Sequence, residues 1–289
     1  MSMLHDIIVA KRDRVAELRR ITPWPVLRAA VGFADTRRSL AAALRRRVGH
    51  DSAGMNAPGP DISASAATSA SSALHPVRFL CEIKRASPSA GEIRPGADAP
   101  RIAEIYREAG ASGISLVTEE QFFRGRPEDL PAVRAAGLPV LMKDFLVDPW
   151  QVGQARSLGA DAVMLIVAMN DRPLLEELRA AARELELEVL VEVHDAAEIE
   201  VAWRLAPELC GVNHRNLNTL EVDLELGVRL LPGLPPAAVH LAESGIRTRG
   251  DVLRLEAAGF DALLVGESLM RADDPGAALR ELRGEAPEP

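Results

Sequence analysis

Cysteine is nearly missing from this 289-residue chain: there are two, Cys81 and Cys210, each inside an apolar run that reads as a strand. Neither stands in a CxxC or Cys/His spacing, which argues against a disulfide framework, a zinc site or a redox pair and leaves buried, reduced thiols of a cytoplasmic protein. Long apolar runs are missing as well, since no stretch approaches the roughly 18 residues of a membrane span. The N-terminus, MSMLHDIIVAKRDRVAELRR, carries charges where a signal peptide needs an apolar core. Basic excess is the third absence. With 34 Lys and Arg against 42 Asp and Glu the net charge is -8, so binding to nucleic acid through phosphate neutralisation is not expected. An apolar fraction of 47% and a charged fraction of 26% are those of an ordinary globular protein with a sizeable core.

The first 49 residues read as a helical extension. Leu4, Ile7, Ile8, Lys11, Val15 and Leu18 recur at helical spacing, Pro23 and Pro25 break the run, and a second helix is expected from Thr36 through Ala43 to Arg47. Residues 50–76 turn to Ser, Ala, Gly and Pro. Such a segment cannot bury enough apolar surface to offset its ordering entropy, so a flexible linker is expected.

From 77 to 289 the pattern is regular. Apolar, β-branched runs recur at VRFLCEI, SGISLVT, PVLMK, DAVMLIV, EVLVEVH, LCGVN, AVHLAES and DALLVG, with room for one amphipathic helix after each. Continuous apolar strands mean a sheet covered on both faces, and strict alternation with helices means parallel pairing. Eight such units fit a closed (β/α)8 TIM barrel of α/β class better than a doubly wound open sheet. Glycines in AGASG, LGADA and AAGFDA fit left-handed helix ends.

In such a barrel the chemistry sits at the carboxyl ends of the strands. The first strand ends Glu82, Ile83, Lys84; the third Lys143, Asp144; the fifth contains Glu192; the sixth ends Asn213, His214, Arg215; the seventh Glu243, Ser244. Strand alternation sends Glu82 and Lys84 the same way, inward if Ile83 faces the helices. Carboxylates and lysines converging from separate strands are expensive to bury unless they serve a purpose, and their proximity spreads their pKa values apart. Gly245 and Gly266, in the loops after the seventh and eighth strands, stand where backbone N–H groups can approach a phosphate.

With those residues in view, the chain resembles indole-3-glycerol phosphate synthase. The likeness runs from about residue 79 to 283 through CEIKRASPSAG, GISLVTEEQFFRG, LPVLMKDFLVDPWQ, GADAVMLIV, LVEVHD, GVNHRNLNT, AESGI and LVGESLM. It implies an enzyme without metal or organic cofactor that turns a small phosphorylated molecule, 1-(2-carboxyphenylamino)-1-deoxyribulose 5-phosphate, into indole-3-glycerol phosphate, carbon dioxide and water. It also implies a monomer without membrane or nucleic-acid partners.

By the same resemblance Lys143 is the general acid at the ketone. Glu192 is the acid/base group of dehydration and Lys84 its partner, also placed to meet the substrate carboxylate, while the order in which these three act stays open. Glu82, Asn213 and Glu243 orient them. Ser87 and Pro88 belong to a loop closing over the substrate, Phe145 and Leu165 form ring-pocket walls, and Arg215 and Leu217 complete the substrate side. Ser244, Gly245, Val265, Gly266 and Glu267 take the phosphate, the last by its backbone with its side chain turned outward. His214 is expected at the rim. Two rivals remain: an isomerase barrel working through a Cys and Asp pair, for which Cys81 would be available, and a non-catalytic barrel that only binds a phosphorylated ligand.

Overall fold

The computed structural model describes residues 3–30, 37–46, 75–217 and 219–285. Among these, eight parallel strands close into a barrel: β1 (Arg78–Ile83), β2 (Gly113–Val117), β3 (Val140–Lys143), β4 (Ala162–Ile166), β5 (Glu188–Val193), β6 (Leu209–Asn213), β7 (Val239–Glu243) and β8 (Ala262–Val265). Each pairs with its sequence neighbours, and β8 returns to β1 in the register Arg78↔Ala262 to Cys81↔Val265. No helix of the described residues is long and apolar enough to cross a membrane.

Three helices stand before the barrel among the described residues, α1 (Met3–Ile21), α2 (Trp24–Ala30) and α3 (Leu40–Leu44). The outer layer runs α4 (Ala99–Glu108), α5 (Leu130–Arg134), α6 (Pro149–Ser157), α7 (Arg172–Glu184), α8 (Ala196–Leu205), α9 (Leu224–Leu230) and α10 (Arg249–Ala258), and α11 (Glu267–Arg271) and α12 (Pro275–Arg283) follow β8. Local chemistry sets the helix limits. Asp98, Asp148, Asp171, Asp195, Asp223 and Asp274 cap the first turns of α4, α6, α7, α8, α9 and α12, each accepting a backbone N–H. The expected glycine stops hold: Gly110, Gly159 and Gly259 have φ of +84, +91 and +109.

Alternation along each strand divides the core in two. Residues such as Leu80, Leu141, Met164, Leu190, Leu241 and Leu264 fill the barrel interior, whereas Cys81, Ile83, Val163, Leu165, Val191 and Val193 face the helices. Both cysteines are free and buried, as expected, and burial pushes the Cys210 thiol up to about 12.

The extension differs from expectation in its helices. The break at Pro23 and Pro25 is short, because Pro25 lies in the first turn of α2, where its missing N–H leaves no gap. Of the helix expected over 36–47, the described residues 37–46 form it only at Leu40–Leu44. That short helix plugs the amino-terminal end of the barrel. Leu40 and Leu44 are fully buried in the interior cluster, and the surrounding backbone is tied down by barrel carboxylates. Asp161 accepts Arg38 N–H at 2.9 Å, Glu188 accepts the Ser39 hydroxyl at 2.6 Å and Ala41 N–H at 2.8 Å, and Asp261 accepts Arg46 N–H at 3.3 Å. At Gly113 a Cβ would lie 2.7 Å from Leu40 Cδ1, so the absence of a side chain there makes room for the plug.

α1 lies at the opposite end, near the mouth. Its buried stripe is Ile7, Lys11 and Val15, and Lys11 Nζ meets Asp144 Oδ1 at 2.7 Å just after β3. Arg14 reaches Glu120 at 3.0 Å, and Trp150 Nε1 donates to Thr22 O at 2.8 Å. The linker expected over 50–76 falls almost wholly outside the described residues.

Leu40→Ala should destabilise the fold by about 2–5 kcal/mol, the usual range for emptying a fully buried leucine site. Equilibrium urea unfolding reads this directly; a loss well under that range would mean that α3 is an appendage rather than a plug.

Candidate active site

Two lysines and three carboxyl groups meet at the carboxyl ends of β1, β3, β5 and β7, within one pocket that also takes residues from α1 and from the loops after β6 and β8. Glu82 is the hinge of the arrangement. It is 2% exposed, its Oε1 lies 2.7 Å from Lys84 Nζ, and its Oε2 lies 3.6 Å from Lys143 Nζ. Burial alone would raise its carboxyl, but the two ammonium groups outweigh that and hold it below the ordinary value. Lys143 loses hydration too, yet Glu82, Glu192 and Glu243 more than offset this, and its ammonium is held above the usual lysine range.

The other two carboxyl groups are driven apart. Burial disfavours charge on Glu192, but His194, Lys143 and a hydrogen bond from Asn213 overcome it and bring its carboxyl down to about 2. For Glu243 burial comes first and the neighbouring Glu192 charge adds to it, so its carboxyl is held well above 4.5. The mouth thus pushes two neighbouring carboxyl groups in opposite directions, Glu192 toward the charged acceptor and Glu243 toward the protonated donor, the two proton states that acid/base chemistry needs.

Two glycines make this crowding possible. A Cβ on Gly211, in the middle of β6, would stand 2.0 Å from Glu243 Oε1, and one on Gly266 would stand 2.4 Å from Glu82 Oε1. Gly266 therefore has a packing duty under Glu82 as well as its place at the start of α11.

The predicted residues separate into those the structure gathers and those it does not. Glu82, Lys84, Ser87, Pro88, Lys143, Phe145, Glu192, Asn213, Arg215, Leu217, Glu243, Ser244, Gly245, Val265, Gly266 and Glu267 all line the one pocket. Leu165 does not. It follows Met164 by one residue, and that parity turns it out into the layer beneath the helices, leaving Met164 and Ile166 as the wall. His214 is not at the rim either: it is 1% exposed behind the strand ends, edge-on to Phe260, with Nδ1 3.0 Å from Ser244 O. There it braces Ser244, whose φ of +69 is unusual for a residue with a side chain. The Glu267 carboxylate is drawn to Arg271 at 3.2 Å and to Arg215 at 3.8 Å.

Several pocket residues escaped sequence reasoning. Met3, Leu4 and Ile7 arrive from α1, and Phe123 arrives from the loop after β2 to stand 5.7 Å from Phe145, ring centre to ring centre. His194 approaches Glu192 Oε1 to 3.3 Å. Gly211 and His194, which stand behind the pocket wall rather than in it, had a local signal, a glycine inside a strand and a histidine two residues beyond a strand-end glutamate.

The pocket is built in halves. Phe145, Met164 and Ile166 make the β3 and β4 side apolar and aromatic, and across the ring the Ser244–Gly245 turn and Gly266 at the start of α11 line the same space. Lysines and split carboxyl groups lie between the two. Such a site defines a (β/α)8 barrel enzyme with acid/base chemistry at its mouth.

Comparison with known proteins narrows the class. The family model of indole-3-glycerol phosphate synthase matches residues 55–282. The indole-3-glycerol phosphate synthase of Aromatoleum aromaticum is 41% identical over 283 residues, covering 98% of this chain and 99% of that one. The one from Laribacter hongkongensis is 42% identical over 285 residues, covering 97% and 98%. Among solved structures, 3-hexulose-6-phosphate synthase from Salmonella typhimurium aligns with a TM-score of 0.58 over 72% of this chain and 97% of its own at 15% identity, a likeness of fold alone. The chain belongs to the indole-3-glycerol phosphate synthase family, decarboxylating lyases of tryptophan biosynthesis. The isomerase rival loses its thiol, since Cys81 faces the helices and is fully buried.

Gly211→Ala should keep the fold while pushing the Glu243 carboxyl aside. Misplacing a reacting group by an ångström costs on the order of 100-fold in turnover. Steady-state rates together with a thermal melt check this, and unchanged turnover would show that Glu243 need not lie where it does.

Proposed function

We propose that this site closes the indole ring of 1-(2-carboxyphenylamino)-1-deoxyribulose 5-phosphate with Lys143 as the general acid. The aryl carbon bearing the carboxylate attacks the sugar ketone, and the ketone oxygen takes a proton from Lys143. The carboxylate then leaves as carbon dioxide, returning its bonding pair to the ring. In the last step the new hydroxyl departs as water with a proton from Lys84, while the adjacent methylene gives its proton to Glu192. Two protons enter and one leaves, matching the loss of the carboxylate charge.

The observation that supports this reading best is Glu82 between both lysines. It contacts Lys84 at 2.7 Å but Lys143 only at 3.6 Å, so Lys143 has the looser hold and the freedom to turn toward a ketone. Glu192, held ionised, suits the acceptor role, and Glu243, pushed toward its protonated form, suits a hydrogen-bond donor to the substrate hydroxyls or the forming alkoxide. Before ring closure Lys84 also offers a cation to the substrate carboxylate.

Phe145, Met164 and Ile166 supply an apolar bed for the aromatic ring, with Phe123 and Leu217 closing around it. The phosphate goes to the backbone of Ser244, Gly245, Val265, Gly266 and Glu267, and Ser87 and Pro88 come down from the loop after β1. Arg215 flanks the substrate from the loop after β6. Residues 1–49 serve as an extension that completes the site and 77–289 as the catalytic barrel. The reading takes the protein to act as a monomer in the cytoplasm, with its two buried thiols reduced.

Incubating the protein with the carboxyphenylamino deoxyribulose phosphate should produce indole fluorescence, whereas a barrel that only binds its ligand would give none. Lys143→Ala should lower kcat by about 100- to 10,000-fold, the contribution of a positioned acid, with a far smaller change in ligand affinity. Equal turnover in that variant would remove Lys143 from the role.

A further inference from the structure

β5 ends in Glu192 and Val193, His194 follows directly, and α8 begins two residues after it. Val193 faces the helix layer, so its two neighbours share the opposite side of the chain. His194 Nε2 lies 3.3 Å from Glu192 Oε1, and His194 Nδ1 lies 3.2 Å from Glu198 Oε2 on the first turn of α8. That Glu198 oxygen also accepts the His194 backbone N–H at 2.7 Å. Glu198 is itself fixed, because its N–H donates to the cap residue Asp195 at 2.9 Å. All three side chains are largely buried, at 2% exposure for Glu192, 13% for His194 and 15% for Glu198.

An imidazole between two carboxylates has one arrangement that suits both. A neutral ring would leave both acids without a cation, whereas the imidazolium sets its charge against each, Nδ1 in a hydrogen bond with Glu198 and Nε2 facing Glu192 as an ion pair. Burial works against that charge, but the two carboxylates override it and push His194 up to about 10. From the barrel side Glu192 is faced by Lys143 of β3, by Asn213 of β6 and by Glu243 of β7. Lys143 is the group that moves during the reaction. His194 is the cation that stays.

We propose that Glu198 and His194 form a charge clamp behind Glu192, in which His194 is a positioning residue that keeps the Glu192 carboxylate ionised and aimed at the substrate while Lys143 gives up its proton. The clamp rests on the acceptor role assigned to Glu192 above. Its function is specific to the moment after Lys143 has protonated the ketone: the neutral lysine no longer supports the Glu192 charge, and without His194 that carboxyl would take up a proton before dehydration.

The test is the pH dependence of kcat in the full-length protein, comparing the unaltered chain with His194→Asn, His194→Gln and Glu192→Gln. Removing an opposite charge at this range raises a carboxyl by about one to three pH units. The acid limb of kcat should move upward by that amount in both His194 variants, with KM for the substrate unchanged. A uniform loss of kcat at every pH with an unmoved acid limb would reduce His194 to a structural part and overturn the clamp. Glu192→Gln keeps the two readings apart. Full turnover in that variant sinks the acceptor role itself, whereas loss of turnover there with an unmoved acid limb in the His194 variants sinks only the clamp. Should those variants fail to fold, nitrogen NMR of the ring in the unaltered chain decides: doubly protonated His194 at neutral pH supports the clamp, and a neutral tautomer refutes it.

Discussion

Everything at the mouth of this barrel depends on one buried carboxylate held between two ammonium groups. Glu82 has lost nearly all contact with water, and without Lys84 and Lys143 its charge would be untenable. Lys143 in turn is held in its charged form by Glu82 and Glu192. Neither set is stable alone, so removing any member leaves an uncompensated charge in a poorly hydrated place. The backbone bends to this need: Gly266 leaves the space that the Glu82 carboxyl fills, and Gly211 does the same for Glu243. A site assembled this way is poised to move protons, because shifting one of them changes the balance felt by every other group.

Sequence and structure agree most closely where a single local rule decides. The strands carry short continuous apolar runs, the helices open on aspartates and stop at glycines, and these signals survive without knowledge of any distant contact. The extension shows the limit. Lys11 repeats at the spacing of the buried stripe of α1, but nothing local says that its partner is Asp144, 133 positions along the chain, or that Leu40 enters the far end of the barrel. α2 was hidden by Pro23 and Pro25, which break one helix and begin another within three residues.

Within the site, strand parity explains both the successes and the errors. Glu82 and Lys84 were correctly placed on one side because Ile83 lies between them. Leu165 was misplaced because a run such as DAVMLIV is apolar on both faces and hides which side is the interior; the parity is fixed only by pairing, where Ile166 stands beside Glu192. His214 looks equally polar at a rim or beneath a turn, and its burial against Phe260 is a fact of packing. Which of Glu192 and Glu243 is pushed down and which up was beyond reach of the sequence, since it follows from distances among groups on four strands.

The claim at the centre of this account is that burial and neighbouring charges push these two carboxyl groups in opposite directions. Carbon-13 NMR of selectively labelled glutamate side chains, with Glu192→Gln and Glu243→Gln to assign the signals, measures it directly. Across neutral pH the account predicts an ionised Glu192 and a protonated Glu243 in the unaltered chain. Two carboxyl groups both ionised at pH 7, titrating together in the ordinary range near 4.3, would contradict it.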